Sequence, residues 1–199
     1  MRRLCLIAWV VGCTATPLPE APFEGDFEFM PATGSLPFIS VEGAIDPDHR
    51  LRVWELDTMA PAQTITPNPD GSVDGMLGAM ATRARLEVVA GRRRSMPLDV
   101  DVTTGVRLSV EECVAVFPQH ELHIDEAYLF ELRNDCAAAI DVSFSTRVIA
   151  PITVPTARSV AAGESATFEL RASAATDEIV LVAVTGAVED TRYLTVYAR

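Results

Sequence analysis

The stretch Arg83-Ala84-Arg85-Leu86-Glu87-Val88 alternates charged and apolar residues one by one, and this pattern decides the fold class. Successive side chains of a β-strand point to opposite faces, so the stretch predicts a strand with one buried and one solvent-exposed face. The same alternation recurs at residues 98–102, 140–144 and 166–171, with turn-forming residues between the runs. Residues 179–184 are apolar on both faces, which indicates a central strand. Strands at this spacing predict an all-β protein.

A break at Thr103-Thr104-Gly105 divides the β-rich region into residues 35–104 and residues 105–199. Each part is long enough for a small β-sandwich, and we expect two of them in tandem. One continuous sandwich is the alternative, because single all-β domains also reach the combined length.

Short motifs in the two parts resemble known modules. With Val41-Glu42-Gly43, a turn at Asn68-Pro69-Asp70-Gly71-Ser72 and a strand at 83–90, the first part resembles small bacterial immunoglobulin-like or carboxypeptidase-regulatory-like modules. The second resembles immunoglobulin-like sandwiches in which a Leu-x-Asn strand end, here Leu132-Arg133-Asn134, is followed by an Ala-Gly-Glu turn, here Ala162-Gly163-Glu164. These resemblances imply immunoglobulin-like folds and a spacer role for the first module. They carry no catalytic residue to this chain.

The first twelve residues have the layout of a secretory signal. Arg2 and Arg3 precede an unbroken apolar run from Leu4 to Val11, and the small Gly12 stands before Cys13. The run is far shorter than the roughly 20 residues that a membrane-spanning helix needs. We therefore predict that residues 1–12 are a signal peptide and that the protein is exported.

The segment Val10-Val11-Gly12-Cys13 resembles the lipobox of bacterial lipoproteins. The resemblance implies that the Cys13 thiol receives a diacylglyceryl group, that the chain is cut before it, and that the new amine is acylated. It places the protein in the bacterial cell envelope, and Thr14 after the cysteine goes with sorting to the outer membrane. An ordinary signal peptide cut near Ala15 is the alternative.

Residues 13–34 are rich in proline and acidic side chains, and we expect an extended tether between the lipid and the folded part. Three aromatic residues, Phe23, Phe27 and Phe29, are unusual in a plain linker. Because exposed aromatic side chains are costly unless used, we expect one or more of them to dock as an edge strand. A recognition peptide is the other interpretation.

Cysteine usage predicts one disulfide. Removal of residues 1–12 discards Cys5, and acylation uses Cys13, which leaves Cys113 and Cys136 as a pair. Two remaining cysteines in an oxidising compartment predict a disulfide bond between them. Two buried free thiols are the alternative.

The chain is acidic, with 28 Asp and Glu residues against 16 basic residues and a formal net charge of −12. Binding to nucleic acid or anionic lipid headgroups needs a basic surface, so we expect neither as a partner. The one basic cluster, Arg92-Arg93-Arg94, follows Gly91 and is interpreted as a solvated turn. The partners that we expect are the membrane, through the lipid anchor, and a protein or polymer of the envelope.

Motifs of catalysis are scarce. A catalytic nucleophile needs a base beside it, and His49, His120 and His123 are the imidazole bases of the chain. On a strand, His120 and His123 point to opposite faces and cannot share a metal ion. The sequence has no G-x-S-x-G, C-x-x-C or H-E-x-x-H motif, so we predict a non-enzymatic protein without a cofactor.

Two acidic groups invite a calcium hypothesis. Asp99 and Asp101 share one face of a predicted strand, and Glu111 and Glu112 follow near the junction between the two parts. Carboxylates from both sandwiches are suitable calcium ligands, although a solvated acidic face is the simpler interpretation. The run from Asp70 to Gly75 starts like a calcium loop, but position twelve is Ala81, so we predict a tight turn there.

These observations favour a non-enzymatic envelope lipoprotein that acts as a spacer, adhesive or assembly module. The alternative is an accessory subunit or hydrolase with a site in the cleft between the sandwiches. A histidine beside buried carboxylates in that cleft would favour the enzyme. A third hypothesis is a structural protein that binds only its own kind.

Overall fold

A computed structural model describes residues 17–30, 32–117 and 123–199, and these residues form an all-β protein, as predicted. All strand pairings among them are antiparallel. The strands of the first half are β1 (Phe27–Phe29), β2 (Ser35–Ser40), β3 (Arg50–Glu55), β4 (Gln63–Ile65), β5 (Asp74–Gly78), β6 (Arg83–Ala90), β7 (Arg93–Arg94), β8 (Leu98–Asp101) and β9 (Val106–Arg107). Those of the second half are β10 (Val114–Phe117), β11 (Ala127–Asn134), β12 (Ile140–Thr146), β13 (Ile152–Thr153), β14 (Arg158–Val160), β15 (Ser165–Ala172), β16 (Thr176–Gly186) and β17 (Asp190–Ala198).

The described strands form two pairs of sheets. In the first half, sheet 1 has the order β1-β2-β5 and sheet 2 the order β4-β3-β6-β8-β9, with β7 paired to β6. In the second half, sheet 3 is β10-β11-β15-β13 and sheet 4 is β14-β12-β16-β17. Each half has an apolar core of its own, one around Phe38, Leu51 and Leu86 and the other around Phe130 and Leu170.

Alternation of side chains holds best where the sequence pattern is cleanest. β11 and β15 each alternate exposed and buried residues along their whole length. The apolar run within β16 lies between β12 and β17, which confirms that it is a central strand. The expectation for β6 is wrong, because Ala84 to Val88 are buried on both faces of the strand. A second sheet covers the charged face that was expected to meet solvent.

Two boundaries differ from the sequence-based prediction. Phe27–Phe29 pairs with β2, which confirms docking as an edge strand and adds part of the expected tether to the first sandwich. Pro19 and Pro22 are also buried, whereas Phe23 stays 61% exposed. At the other end, β9 pairs with β8, so the first half continues past residue 104.

The turn at Asn68 to Ser72 is confirmed by its hydrogen bonds. The Asp70 carboxylate accepts hydrogen bonds from the backbone N–H and the hydroxyl of Ser72, and these bonds lower its pKa. Gly71 has φ +81°, and a Cβ there would lie 2.6 Å from the carbonyl oxygen of Ile45. Only glycine fits such a position without strain.

The motif residues of the second half are brought together around Asn134. This residue is fully buried, and its amide donates hydrogen bonds to the carbonyl oxygens of Ala138, Val160 and Ala161. Its backbone pairs with Gly163 and Glu164 of the Ala-Gly-Glu turn. A buried amide whose hydrogen bonds are satisfied fixes the local chain path, which explains why Leu-x-Asn and Ala-Gly-Glu occur together.

Candidate functional site

The outward face of sheet 2 packs against the outward face of sheet 4, and this junction is the candidate functional site. At its centre Trp54 of β3 and Ile179 of β16 are fully buried. The Trp54 ring meets the ring of Tyr197 on β17 edge to face, with centroids 6.4 Å apart. The Trp54 indole N–H donates to the carbonyl oxygen of Asp177 at 3.4 Å. The aromatic contact therefore has a polar bond that orients it.

Arg147 ties a loop of the first sandwich to the second. Its side chain is only 2% exposed, and its Nε and Nη2 donate to Glu178 Oε1 at 2.9 and 2.8 Å. Its Nη1 donates to the carbonyl oxygens of Glu55, Thr58 and Ala60. The planar guanidinium, with five N–H donors, suits this set of acceptors in a way that lysine cannot.

The charged face of β6 contacts β17 through Arg85, which is 3% exposed. Its guanidinium binds both carboxylate oxygens of Asp99 at 2.7 and 2.8 Å, and its Nη1 donates to Thr195 Oγ1 at 2.8 Å. The side chain also lies over the ring of Tyr193, 5.8 Å from its centroid. The alternating sequence pattern predicted that Arg85 would be exposed to solvent. In the structure its charge is paired with Asp99, and the second sandwich covers it.

Glu87 is a buried carboxyl group at the same junction, 4% exposed. The Tyr197 hydroxyl donates to its Oε2, and the Arg94 guanidinium stacks 3.6 Å from the centroid of the Tyr197 ring. Burial raises the pKa of Glu87 to about 7, although Arg94, Arg85 and Arg52 act in the opposite direction. Desolvation therefore outweighs three nearby positive charges.

The raised pKa of Glu87 predicts a pH-dependent stability. The group titrates near 4.5 when unperturbed and near 7 in the fold, so the folded state holds the proton more tightly. Its contribution to the free energy of unfolding is complete below about pH 4.5 and is lost as the pH rises through about 7. The contribution is roughly 3 kcal/mol at most.

Urea unfolding between pH 4.5 and 8 checks this prediction. The Glu87→Gln variant, which mimics the protonated acid, should lose less stability over this range than the wild type. The exposed Glu131→Gln variant should follow the wild-type curve. Parallel pH curves for wild type and Glu87→Gln would contradict the assignment.

A cleft of about 890 Å³ opens beside the junction. Its walls include Tyr193, Tyr197 and Leu108, and Leu18 lies at it as well. Arginines and carboxylates supply its charge: Arg83, Arg85, Arg92, Arg93, Arg94, Arg107, Arg192 and Arg199 against Glu87, Asp99, Glu189 and Asp190. Half of the chain's 16 basic residues therefore line one cleft.

The cluster Arg92-Arg93-Arg94 only partly fits the predicted solvated turn. Gly91 has φ +64° and makes the turn between β6 and β7, and Arg92 is exposed. Arg93 instead donates to the carbonyl oxygen of Pro17, and Arg94 packs on Tyr197. The reason is that β7 pairs with β6 at the junction, which carries these side chains into the cleft.

The calcium candidates are engaged in other interactions. Asp99 and Asp101 do share one face of β8, but Asp99 is bound by Arg85, and Asp101 accepts hydrogen bonds from Thr103 and Thr104. Glu111 and Glu112 are exposed. Across residues 17–30, 32–117 and 123–199, no group of three or more His, Cys, Asp or Glu side chains is placed to hold a metal ion.

The predicted lipidation site lies outside the described residues, and so does one residue of the histidine pair. These residues are Cys13 and His120. His123 lines the cleft but is exposed, and its imidazole has no hydrogen bond or ion pair with any residue that the structure describes.

The predicted disulfide is present. Cys113 and Cys136 are bonded, with α-carbons 4.9 Å apart, and they flank the antiparallel pair β10 and β11. The backbone N–H of Asp135 also donates to the carbonyl oxygen of Cys113 at 2.7 Å. The bridge thus fastens the edge strand β10 to its neighbour where Val114 pairs with Asn134.

Sequence reasoning missed the residues that build the junction, namely Trp54, Arg147, Glu178 and Tyr197. The one weak signal is the position of Arg147 as a lone charge before the apolar residues Val148 and Ile149. No local pattern marks Trp54 or Tyr197 as contacts between sandwiches, because both also suit an ordinary strand.

Comparisons with known proteins give only distant similarity. No family model and no curated protein matches the chain. Among solved structures, domains 4 and 5 of the S-layer protein SbsC are 14% identical, with 80% of this chain and 74% of that one covered and a TM-score of 0.35. A protein of unknown function from Porphyromonas gingivalis W83 is 14% identical over 91% and 94% of the two chains, with a TM-score of 0.37.

The D0-D1 domain of Intimin is a further similar structure, 11% identical over 86% of this chain and 97% of that one, with a TM-score of 0.35. Identities and TM-scores this low carry no function to this chain. None of the described residues forms a helix long and apolar enough to cross a membrane.

Proposed function

We propose that this chain is a non-enzymatic lipoprotein of the bacterial cell envelope whose two sandwiches act as one rigid spacer or assembly module. The observation that carries the proposal is the Arg147 contact: a buried guanidinium, held by Glu178 of its own sandwich, donates to three carbonyl oxygens of the first sandwich across the junction. Neighbouring domains in one chain move relative to each other by default unless their interface resists it. The bonds from Arg147 to Glu55, Thr58 and Ala60 oppose such motion, because separating the sandwiches would take these acceptors away from a buried guanidinium.

The apolar contact supports the same conclusion. Trp54, Leu56, Ile179 and Tyr197 form a cluster separate from the cores of the two sandwiches. Burial of a large aromatic side chain stabilises its contact by roughly 2 to 3 kcal/mol. A spacer or assembly module needs a fixed distance between its ends, and this junction suits that role.

The cleft favours the module over the alternative hydrolase. The enzyme hypothesis needs an imidazole beside a buried carboxylate. His123 is exposed, and the buried Glu87 accepts a hydrogen bond from Tyr197 instead. A carboxyl group held in this way contributes to the contact between the two sandwiches, because Tyr197 belongs to the second one.

The membrane anchor is part of the proposal and rests on Cys13. Arg93 binds the carbonyl oxygen of Pro17, so the chain is already attached to the fold four residues after Cys13. Four residues of extended chain span at most about 14 Å. The cleft is therefore held close to the membrane surface, nearer than the tether predicted from residues 13–34 would place it.

Lipidation is tested by labelling cells with a radioactive or clickable fatty acid. The wild-type chain should take up label and fractionate with membranes, and Cys13→Ala should do neither, because only a thiol at the cleavage site forms the thioether. Cys5→Ala is the matched control, since it changes a cysteine of the same segment without touching the acceptor. Equal label in wild type and Cys13→Ala would overturn the anchor.

A further inference from the structure

The cleft beside the junction concentrates positive charge in an acidic protein. The chain has a net charge of −12, yet eight arginines and four carboxylates line this one surface. A cleft with one sign of charge and low-dielectric walls focuses the electrostatic field and raises the local concentration of oppositely charged ligands.

Several of these arginines are not neutralised by the protein. Two of the four carboxylates are already occupied, Asp99 by Arg85 and Asp190 by Arg192. Arg92, Arg107 and Arg199 are exposed, and their side chains have no hydrogen bond or ion pair within the described part of the chain. The remaining acids, Glu87 and Glu189, cannot balance them.

Arg94 adds a buried donor without an acceptor. Its Nη1 is inaccessible to solvent and has no hydrogen-bond partner among the residues that the structure describes, although the guanidinium lies on the Tyr197 ring. Buried donors are nearly always satisfied in folded proteins, because an unmet N–H loses its bond to water without compensation. The protein therefore compensates the Arg94 guanidinium only in part.

We propose that the cleft binds a ligand through a doubly charged phosphate group. Arginine recognises phosphate by paired N–H donors, and several uncompensated arginines suit a dianion better than a single carboxylate. The volume of about 890 Å³ is that of a small-molecule site, and Tyr193, Tyr197 and Leu108 supply apolar walls. Long polyanions such as nucleic acid are disfavoured, because the rest of the surface is acidic and repels them.

Two sources can supply the phosphate. If Cys13 carries the lipid, as proposed above, the cleft lies close to the membrane surface and a lipid headgroup is within reach. A free phosphate compound is the other source. Phosphate binding from either source does not depend on the rigidity of the junction, which the Arg147 variants test separately.

The test is calorimetric titration of the full lipidated chain in a neutral detergent. The two probes are inorganic pyrophosphate, for a free phosphate, and dihexanoyl phosphatidic acid, for a headgroup; dihexanoyl phosphatidylcholine is the zwitterionic control. We expect at least one phosphate probe to bind and the control lipid not to bind. Pyrophosphate alone indicates a free compound, whereas phosphatidic acid alone or more tightly indicates a headgroup.

A pair of matched variants locates the binding. Arg92→Gln with Arg107→Gln removes two exposed cleft arginines and should weaken binding at least about tenfold, since charge-assisted hydrogen bonds are the strong ones. Arg50→Gln with Arg171→Gln removes the same charge from exposed positions elsewhere and should change affinity less than about twofold. Equal unfolding midpoints of the two double variants establish that the fold is retained. No binding by either probe, or equal weakening by the two double variants, would overturn the proposal.

Discussion

Replacing Arg147 by methionine is expected to destabilise the protein by about 3 to 5 kcal/mol, the usual cost of removing one partner of a buried ion pair. The Glu178 carboxylate, 8% exposed, would lose its charged partner, and the carbonyl oxygens of Glu55, Thr58 and Ala60 would lose a donor. Because the bonds to the three carbonyl oxygens join the two sandwiches, their loss should also uncouple the sandwiches. Calorimetry should show one unfolding transition in the wild type and two in Arg147→Met.

Arg133→Met is the matched control for this experiment. Arg133 also pairs with a carboxylate, Asp135, but both side chains are exposed. An exposed pair contributes about 0 to 1 kcal/mol, so this variant should unfold almost like the wild type.

The double variant Arg147→Met with Glu178→Leu separates charge from packing. It should recover part of the loss, since replacing both members of a buried pair by apolar residues avoids the unpaired charge. If Arg147→Met were as mild as Arg133→Met and unfolded in one transition, the rigid junction would be refuted.

Loss of the disulfide is expected to cost about 3 to 4 kcal/mol of unfolding free energy. Cys113 and Cys136 are 23 residues apart, and closing a loop of this length restricts the unfolded chain by about that amount in the chain-entropy model. The bridge also holds the edge strand β10, which among the described strands pairs only with β11. Urea unfolding of the variant Cys113→Ala with Cys136→Ala should show a midpoint well below that of the oxidised wild type.

Reduced wild type is the control, because it lacks the bond but keeps both side chains. Its urea midpoint should be close to that of the double alanine variant, because the two proteins differ only in the two cysteine side chains. A reduced wild type as stable as the oxidised protein would show that the bridge contributes nothing.

The fold class and the disulfide were predictable because their signals are local or compositional. Alternation along β11 and β15 follows directly from the geometry of a strand, in which successive side chains point to opposite faces. The cysteine pair followed from counting thiols in a chain with a predicted export signal, without knowledge of the register that brings them together.

The charged cleft is a feature that overall composition does not reveal. A net charge of −12 predicts that anionic ligands are repelled, and it does so by averaging over the whole surface. Arg83 and Arg192 are far apart in the sequence, so no short stretch of the sequence contains both. Their shared cleft exists only because β6 and β17 meet at the junction.

By itself the sequence determined the strands at residues 83–88, 98–101, 140–144, 166–171 and 179–184, the turn at Asn68 to Ser72 and the cysteine pair, because strand period, turn chemistry and thiol number are read from the sequence without the fold. Only the tertiary structure decided that the charged face of β6 is buried, that Arg147 joins the sandwiches and that half of the arginines line one cleft. Alternation separates one face of a strand from the other. Whether the polar face meets water or a second sheet depends on contacts between residues as far apart as Glu87 and Tyr197, and no local pattern encodes those.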